Sequence, residues 1–414
     1  MDLLYHITIG IAILAVSPFI VLRMAIDPGF RVEITQRLRG GSSVPSLRDS
    51  LWIHAASVGE VRAAKILIHS MKERGNHRPI ILSTFTRTGY ELACAEGLSP
   101  VFRLPPDFPL WLEPLFNKIN PAALILIEAE LWPCLLRLCH QHNVPVLLVN
   151  GRMSEKSFNR YHAVKPLFCW ITASVKLFSM RTPADADRVG KLGIPAPAIH
   201  VTGNLKFDAP AEDREPIKDS LLVVFGSTRP GDEEPALDAV ARLRQEVPGA
   251  RFVLAPRHIE RIPEIVNMVK SRGMDFELHS RIGEKKNNGR SALIILDRMG
   301  ELNHYYAQSC VAFVGGGFDP GLGGQNILEP AAFCQPVIFG RHMDNFAEEA
   351  RLLTVSGGGI QITGPEELHP VLLRLLINPE ERQRMGKLAG NAVKSNRGAV
   401  QRNAELIEKF LQTT

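Results

Sequence analysis

Ten short apolar runs constrain this chain more than anything else in it. Five fall at residues 51–53, 79–85, 123–127, 144–149 and 199–202, and five more at 221–225, 251–254, 292–296, 311–314 and 336–339, with helix-patterned stretches between them. Runs that are apolar throughout suit strands covered on both faces, and strands alternating with helices build parallel sheets. A polar, proline-bearing stretch at 208–219 separates the two sets. The pattern predicts an α/β protein of two Rossmann-like, doubly wound domains facing a cleft: residues 25–208, a linker at 209–220, and residues 221–414, whose terminal helices at 379–411 lie across the surface. The length of 414 residues agrees, because a single hydrophobic core stops growing at roughly 250–300 residues.

Residues 3–22 stand outside this pattern, since no charged side chain interrupts them. As a helix they reach roughly 30 Å, the thickness of a bilayer core. A cleaved signal peptide would begin with a basic stretch, whereas Asp2 precedes the run and Arg23 follows it. The flanks favour an uncleaved, single-pass membrane anchor at residues 1–24, and Arg23, Arg31, Arg37 and Arg39 place the body on the cytoplasmic side. A buried helix docked on the body is the other reading, and Pro18 is compatible with it.

Charged residues make up 22% of the chain and its net charge is +5, with no long Lys/Arg run and no RNA-binding aromatic pattern. Nucleic acid is thereby a poor partner, and an anionic small molecule or a membrane surface a better one. The six cysteines are scattered without a C-x-x-C pair and read as reduced, buried thiols. The Walker phosphate loop, H-E-x-x-H and G-x-S-x-G are all absent.

Ligands of doubly wound sheets bind beyond the carboxyl ends of the strands, so the residues after each run are the candidates for chemistry. His54-Ala55-Ala56-Ser57-Val58-Gly59-Glu60 follows the first run. Ser57 and Glu60 have capping-box spacing, and a helix N-terminus also holds a carboxylate ionised, as a general base requires; both readings hold together. Glu128-Ala129-Glu130-Leu131-Trp132-Pro133 closes the third run, and two carboxylates after so apolar a strand are costly unless paired or solvated in a cleft. Lys206, in Gly203-Asn204-Leu205-Lys206-Phe207-Asp208, is either a partner for an anion or a solvated surface lysine.

In the second half, Gly226-Ser227-Thr228 forms a small-residue turn suited to a phosphate, and Pro256-Arg257-His258 adds a bidentate cation. A glycine-rich segment, 315–324, follows the run at 311–314 and leads to Gln325-Asn326-Ile327-Leu328-Glu329-Pro330. It departs from G-x-G-x-x-G, which argues against a dinucleotide. Asn326 and Glu329 again have capping spacing, and Glu329 is equally placed to accept ribose hydroxyls.

Taken in order, 54–60, 128–133, 203–208, 256–258, Met299-Gly300-Glu301-Leu302 and 323–330 resemble the motifs of bacterial 3-deoxy-D-manno-octulosonic acid (Kdo) transferases, which modify lipid A precursor; Asn150-Gly151-Arg152-Met153-Ser154 is similar to that family's N-x-R-x-S segment. The resemblance runs from the apolar helix nearly to the C-terminus. It implies a GT-B glycosyltransferase of the inner membrane that inverts the anomeric centre, with CMP-Kdo as donor substrate, lipid A precursor as acceptor, and no metal or other cofactor. By it, Glu60 is the proton acceptor, Glu130 and Lys206 stabilise the transition state, and Pro256, Arg257, Met299, Gly300, Glu301, Asn326, Ile327, Leu328 and Glu329 hold CMP. Gln325, Ala129 and Cys134 stand where the family usually has His, Thr and Asn, and Arg229-Pro230-Gly231-Asp232 replaces its H-E-G-E. A nucleotide-sugar epimerase of similar fold is the alternative; the apolar helix and Glu60 distinguish the two. Finally, Arg152, Lys156 and Arg160 recur every four residues and form one basic stripe if 153–161 is helical, for acceptor phosphates or headgroups or simply as a solvated face.

Overall fold

A computed structural model describes residues 2–39, 44–98, 100–128, 130–208, 221–282 and 292–413. The expected linker at 209–220, and Ala129, lie outside the described residues. The chain divides into two compact units, Met1–Ala209 with Arg397–Thr414, and Pro210–Asn396.

In the first unit seven strands, β1 (Ser50–His54), β2 (Ile80–Thr84), β3 (Val101–Arg103), β4 (Pro121–Ile127), β5 (Val146–Gly151), β6 (Val175–Met180) and β7 (Ile199–Val201), form a parallel sheet in the order β3-β2-β1-β4-β5-β6-β7. Trp52, Leu124, Leu126, Val146 and Leu148 feed the core on one face, while Leu51, Ile53, Ala123, Ile125 and Ile127 feed the other. This period of two, buried on both sides, is why these runs lack polar alternation. β3 and β6 were not among the expected strands: β3 has three residues, and β6 carries Lys176 and Ser179 within its apolar pattern.

The second unit repeats the plan with β8 (Leu222–Thr228), β9 (Arg251–Pro256), β10 (Glu277–Leu278), β11 (Leu293–Ile295), β12 (Val311–Val314), β13 (Val337–Phe339) and β14 (Gly359–Gln361), parallel in the order β10-β11-β9-β8-β12-β13-β14. Val223, Phe225, Phe252, Leu254 and Phe313 pack on one face, and Leu222, Val224, Val253 and Ala312 on the other. In each sheet the order reverses beside the first strand, between β1 and β4 and between β8 and β12, so each unit has its own topological switch point.

Three expectations change. The last helix, Ala399–Thr413, belongs to the first unit and not to a domain running to 414. Its Ala399, Ala404 and Ile407 join the β1/β4 core, Asp208 accepts the Gly398 and Val400 N–H groups at 2.6 and 2.5 Å, and fully buried Asn403 donates to Thr202 Oγ1 at 2.9 Å. Those partners are some 200 residues away in sequence, beyond the reach of a local pattern. Secondly, Cys94, Cys169 and Cys334 are exposed, and only Cys134, Cys139 and Cys310 are buried, although all six are free. Thirdly, the helix Glu155–Ala163 starts after its cap Ser154, so Arg152 precedes it; Lys156 and Arg160 remain one turn apart and exposed.

At the N-terminus, α1 (Asp2–Ile26) is followed by α2 (Pro28–Arg39). Residues Ile9–Ile26 have a mean hydropathy of 2.3 and, among the described side chains, none is buried in the fold, so by length and composition α1 is apolar enough to enter a membrane.

Candidate active site

At the switch point of the first unit, β1 ends at His54 and α3 (Val58–Glu73) begins. Ser57 caps α3 in extended geometry, and its hydroxyl accepts from Glu60 N at 3.4 Å while donating to Glu60 Oε1 at 2.8 Å. Glu60 Oε2 accepts from the Ala56 N–H at 2.8 Å, one residue earlier than the usual capping box. Glu60 as a whole is 6% exposed. Burial pushes its pKa up to about 7, and the charges of Glu128 and Glu130 push the same way against the hydrogen bonds from Ala56 and Ser57. The helix N-terminus therefore does not hold Glu60 strongly ionised, as its position in the sequence suggested; desolvation outweighs the dipole and leaves a group that exchanges a proton near neutral pH.

Both acidic neighbours come from the end of β4. Register pairs His54 with Leu126, which brings the turn after β4 beside the turn after β1. Glu128 sits at φ 65°, a left-handed conformation costly for a residue with a β-carbon, and two contacts hold it there. Its N–H donates to Val149 O at 2.8 Å, and its carboxylate pairs with Arg181, whose side chain is 3% exposed. Glu130 has its pKa raised by burial and then by the Glu128 charge.

Arg181 was not legible as a site residue, because it follows β6, a strand the apolar pattern did not reveal. Its Nε donates to Asn150 O at 3.1 Å. Asn150, at φ 59° after the core of β5, accepts from Leu205 N at 3.0 Å through its side chain, and Asn204 Oδ1 accepts from Lys206 N at 3.1 Å. One chain of hydrogen bonds thus runs from Glu128 through Arg181 and Asn150 to the Lys206 turn. Behind it, fully buried His54 shares Ser83 Oγ with Trp52 Nε1, each at 2.8 Å, and burial lowers its pKa to about 3. His54 is a neutral structural group; its ring meets Trp132 edge-on at 5.7 Å, so Trp132 does more than shape a turn.

In the second unit, Ser227 at φ 52° and buried Thr228 end β8, and Thr228 O accepts from Arg257 N at 2.9 Å, just after Pro256 closes β9. Asp232, a residue marked only as a departure from the family pattern, ties this turn to the glycine-rich segment: its Oδ2 accepts from Arg229 N and Gly316 N, each at 2.7 Å. Burial raises its pKa to about 6 while these two N–H groups oppose the rise. A β-carbon on Gly315 would stand 2.5 Å from Asp232 Oδ2 and 2.7 Å from Thr228 Cα, and one on Gly340 would stand 2.4 Å from the Gly317 carbonyl. Close packing of the strand ends, as much as ligand approach, explains those glycines.

The remaining candidates lie on loops of the same unit. Met299 is 60% exposed, Gly300 has φ 92°, and Glu301 precedes the helix Leu302–Gln308 without a side-chain capping bond. Asn326 forms a turn by accepting from Leu328 N at 3.2 Å and donating to Glu329 Oε1 at 3.1 Å, while Ile327 and Leu328 are buried. The structure therefore shows the turn-forming role of Asn326 directly. A surface hollow lined by Met71, Arg74, Ala404 and Leu411 lies at the opposite end of α3 from Glu60.

Residues 32–209 match the family model described as 3-deoxy-D-manno-octulosonic-acid transferase (kdotransferase). Over 409 residues the chain is 32% identical to the 3-deoxy-D-manno-octulosonic acid transferase of Haemophilus influenzae, covering 95% of each protein. The Bordetella pertussis enzyme of the same name is 30% identical over 392 residues, covering 90% of each. Among solved structures, UDP-GlcNAc 2-epimerase from Neisseria meningitidis aligns with a TM-score of 0.56 at 12% identity, over 85% of this chain and 100% of that one. MurG from Acinetobacter baumannii aligns at 0.53 and 14%, over 87% and 99%. Such identities show the fold alone, which is GT-B-like, and an epimerase and MurG share it equally. The sequence relatives separate what the fold does not: this chain belongs to the 3-deoxy-D-manno-octulosonic acid transferase family of glycosyltransferases.

Proposed function

We propose that the protein moves Kdo from CMP-Kdo to a sugar hydroxyl of lipid A precursor in lipopolysaccharide synthesis, with Glu60 as general base. The observation that carries this reading is the Glu60 carboxylate: buried at the switch point, oriented by Ala56 N and Ser57 Oγ, and poised at about pH 7. Glu60 takes the acceptor proton as the hydroxyl oxygen bonds to the anomeric carbon; the bond from that carbon to the phosphate oxygen breaks, and CMP leaves with the electron pair. One carboxylate assisting a direct displacement inverts the centre. Glu130 and Lys206 stabilise the developing charge. In the second unit, Ser227, Thr228 and Arg257 meet the donor phosphate, with 299–301 and 326–329 around the rest of CMP.

Membrane association through α1, with the body on the cytoplasmic face of the inner membrane, fits a lipid acceptor. Incubation with CMP-Kdo and lipid A precursor, following CMP release and lipid mass, tests the reaction. Glu60→Gln should fold, bind CMP and lose transfer by about two to four orders of magnitude, the usual worth of a positioned base; substantial retained turnover would exclude that role. An epimerase would instead alter the nucleotide sugar and leave the lipid mass unchanged.

A further inference from the structure

We propose that α1 lies in the plane of one membrane leaflet, on the same side as the protein body, rather than crossing the bilayer. The inference rests on the membrane association proposed above but not on the reaction. The apolar window Ile9–Ile26 is flanked by Tyr5 and Glu33, and both are fastened to the first unit. Tyr5 Oη donates to Asp107 Oδ2 at 3.1 Å and its ring packs on Trp170 with centroids 5.8 Å apart. Asp107 in turn accepts from Cys134 N at 2.9 Å and Leu135 N at 3.0 Å, so it is part of the folded body. Gly10 also meets that body, since a β-carbon there would lie 3.9 Å from the Phe108 ring.

At the other flank, Glu33 accepts from Arg103 at 2.9 Å and Arg37 at 3.1 Å, and both guanidiniums donate to Phe85 O. Arg103 and Asp107 are four residues apart, hence at most about 14 Å from each other. A helix crossing the roughly 30 Å hydrocarbon core would have to part its ends by that thickness, with Tyr5 on the face away from the body. Tyr5, near the start of α1, and Glu33, on the helix α2 that follows it, are both held on the side of the body.

The surface of α1 shows what covers it. At about 100° per residue, exposed Ile11, Leu14, Val16, Phe19, Val21, Leu22 and Ile26 spread over roughly 220° of the helix, far wider than the roughly 100° stripe that docks on a protein. Half-exposed Ile9, Gly10, Ser17, Ile20 and Met24 fall in the opposite arc of roughly 100°. Exposed Arg23, near one edge of that arc with its guanidinium over the Phe30 ring, and exposed Arg31 on α2 suit anionic headgroups, and an in-plane helix settles about 5–10 Å deep. The occupant of the arc is therefore a lipid leaflet.

Protease protection of the full-length protein carrying an N-terminal epitope tag tests this, in inside-out and right-side-out vesicles of bacterial inner membrane. An in-plane helix predicts that tag and body are both cleaved in inside-out vesicles and both protected in right-side-out ones. Tag cleavage only in right-side-out vesicles, with the body protected, would show a spanning helix and overturn the proposal. Phe19→Glu with Leu22→Glu should weaken binding to phosphatidylglycerol/phosphatidylethanolamine vesicles by about tenfold or more. Unchanged vesicle binding, or loss of self-association in its place, would overturn the lipid occupant. Neither readout needs Kdo transfer, so a failed transfer assay beside the expected protection pattern would count against the reaction alone.

Discussion

Glu60 combines two demands that a local motif does not separate. As the third residue of α3 it completes a cap, and as a buried carboxylate facing Glu128 and Glu130 it binds its proton tightly. Transfer should accordingly rise with pH through a limb near 7, as Glu60 ionises; a rate flat from pH 5 to 8 would count against it. Stability runs the other way. A carboxyl whose folded pKa is raised favours the fold below its ordinary value of 4.5, and that advantage disappears as pH climbs through about 7. Glu60→Gln removes the ionisation, so its melting temperature relative to the parent should be higher at pH 8 than at pH 5. Arg181→Met tests the neighbouring charge balance: with Glu128 uncompensated, the rate limb should move to higher pH and stability should fall by about 2 kcal/mol, somewhat less than for a fully buried pair. An unmoved limb in a folded variant would remove Arg181 from the network.

Among the elements, the strand ends and the last helix depend most on contacts distant in sequence. Gly340 packs backbone to backbone on Gly317, so Gly340→Ala must displace β13 from the glycine-rich loop. A cost of about 1–3 kcal/mol is expected, seen as a drop of several degrees in thermal unfolding. Asp208→Ala leaves the Gly398 and Val400 N–H groups uncapped, worth about 1–2 kcal/mol. Amide exchange should speed up in Ala399–Thr413 first, and exchange no faster than in the parent would contradict the capping role. Most strands were legible as apolar runs, because burial on both faces writes itself into composition. β3, β6, β10 and β14 were not: they are short or carry polar residues, and their partners rather than their sequence make them strands.

At the scale of the whole molecule, each unit has its own parallel sheet and its own cores, yet the first is completed only by the last eighteen residues of the chain. Truncation after Asn396 should expose the face of the β1/β4 core that Ala404 and Ile407 cover, lowering the unfolding temperature of the first unit while leaving that of the second near its parent value; calorimetry separates the two transitions. What the sequence determined by itself was whatever a few neighbouring residues can carry: alternating strands and helices, the Ser57 cap, the position of Glu60 after β1, and motifs distinct enough to mark the family. The tertiary structure decided the proton affinity of Glu60, the pairing of Arg181 with Glu128, the stitching of β8 to β12 by Asp232, and the return of the last helix. Desolvation and charge are set by groups that strand order brings together from far along the chain, and no local pattern encodes them.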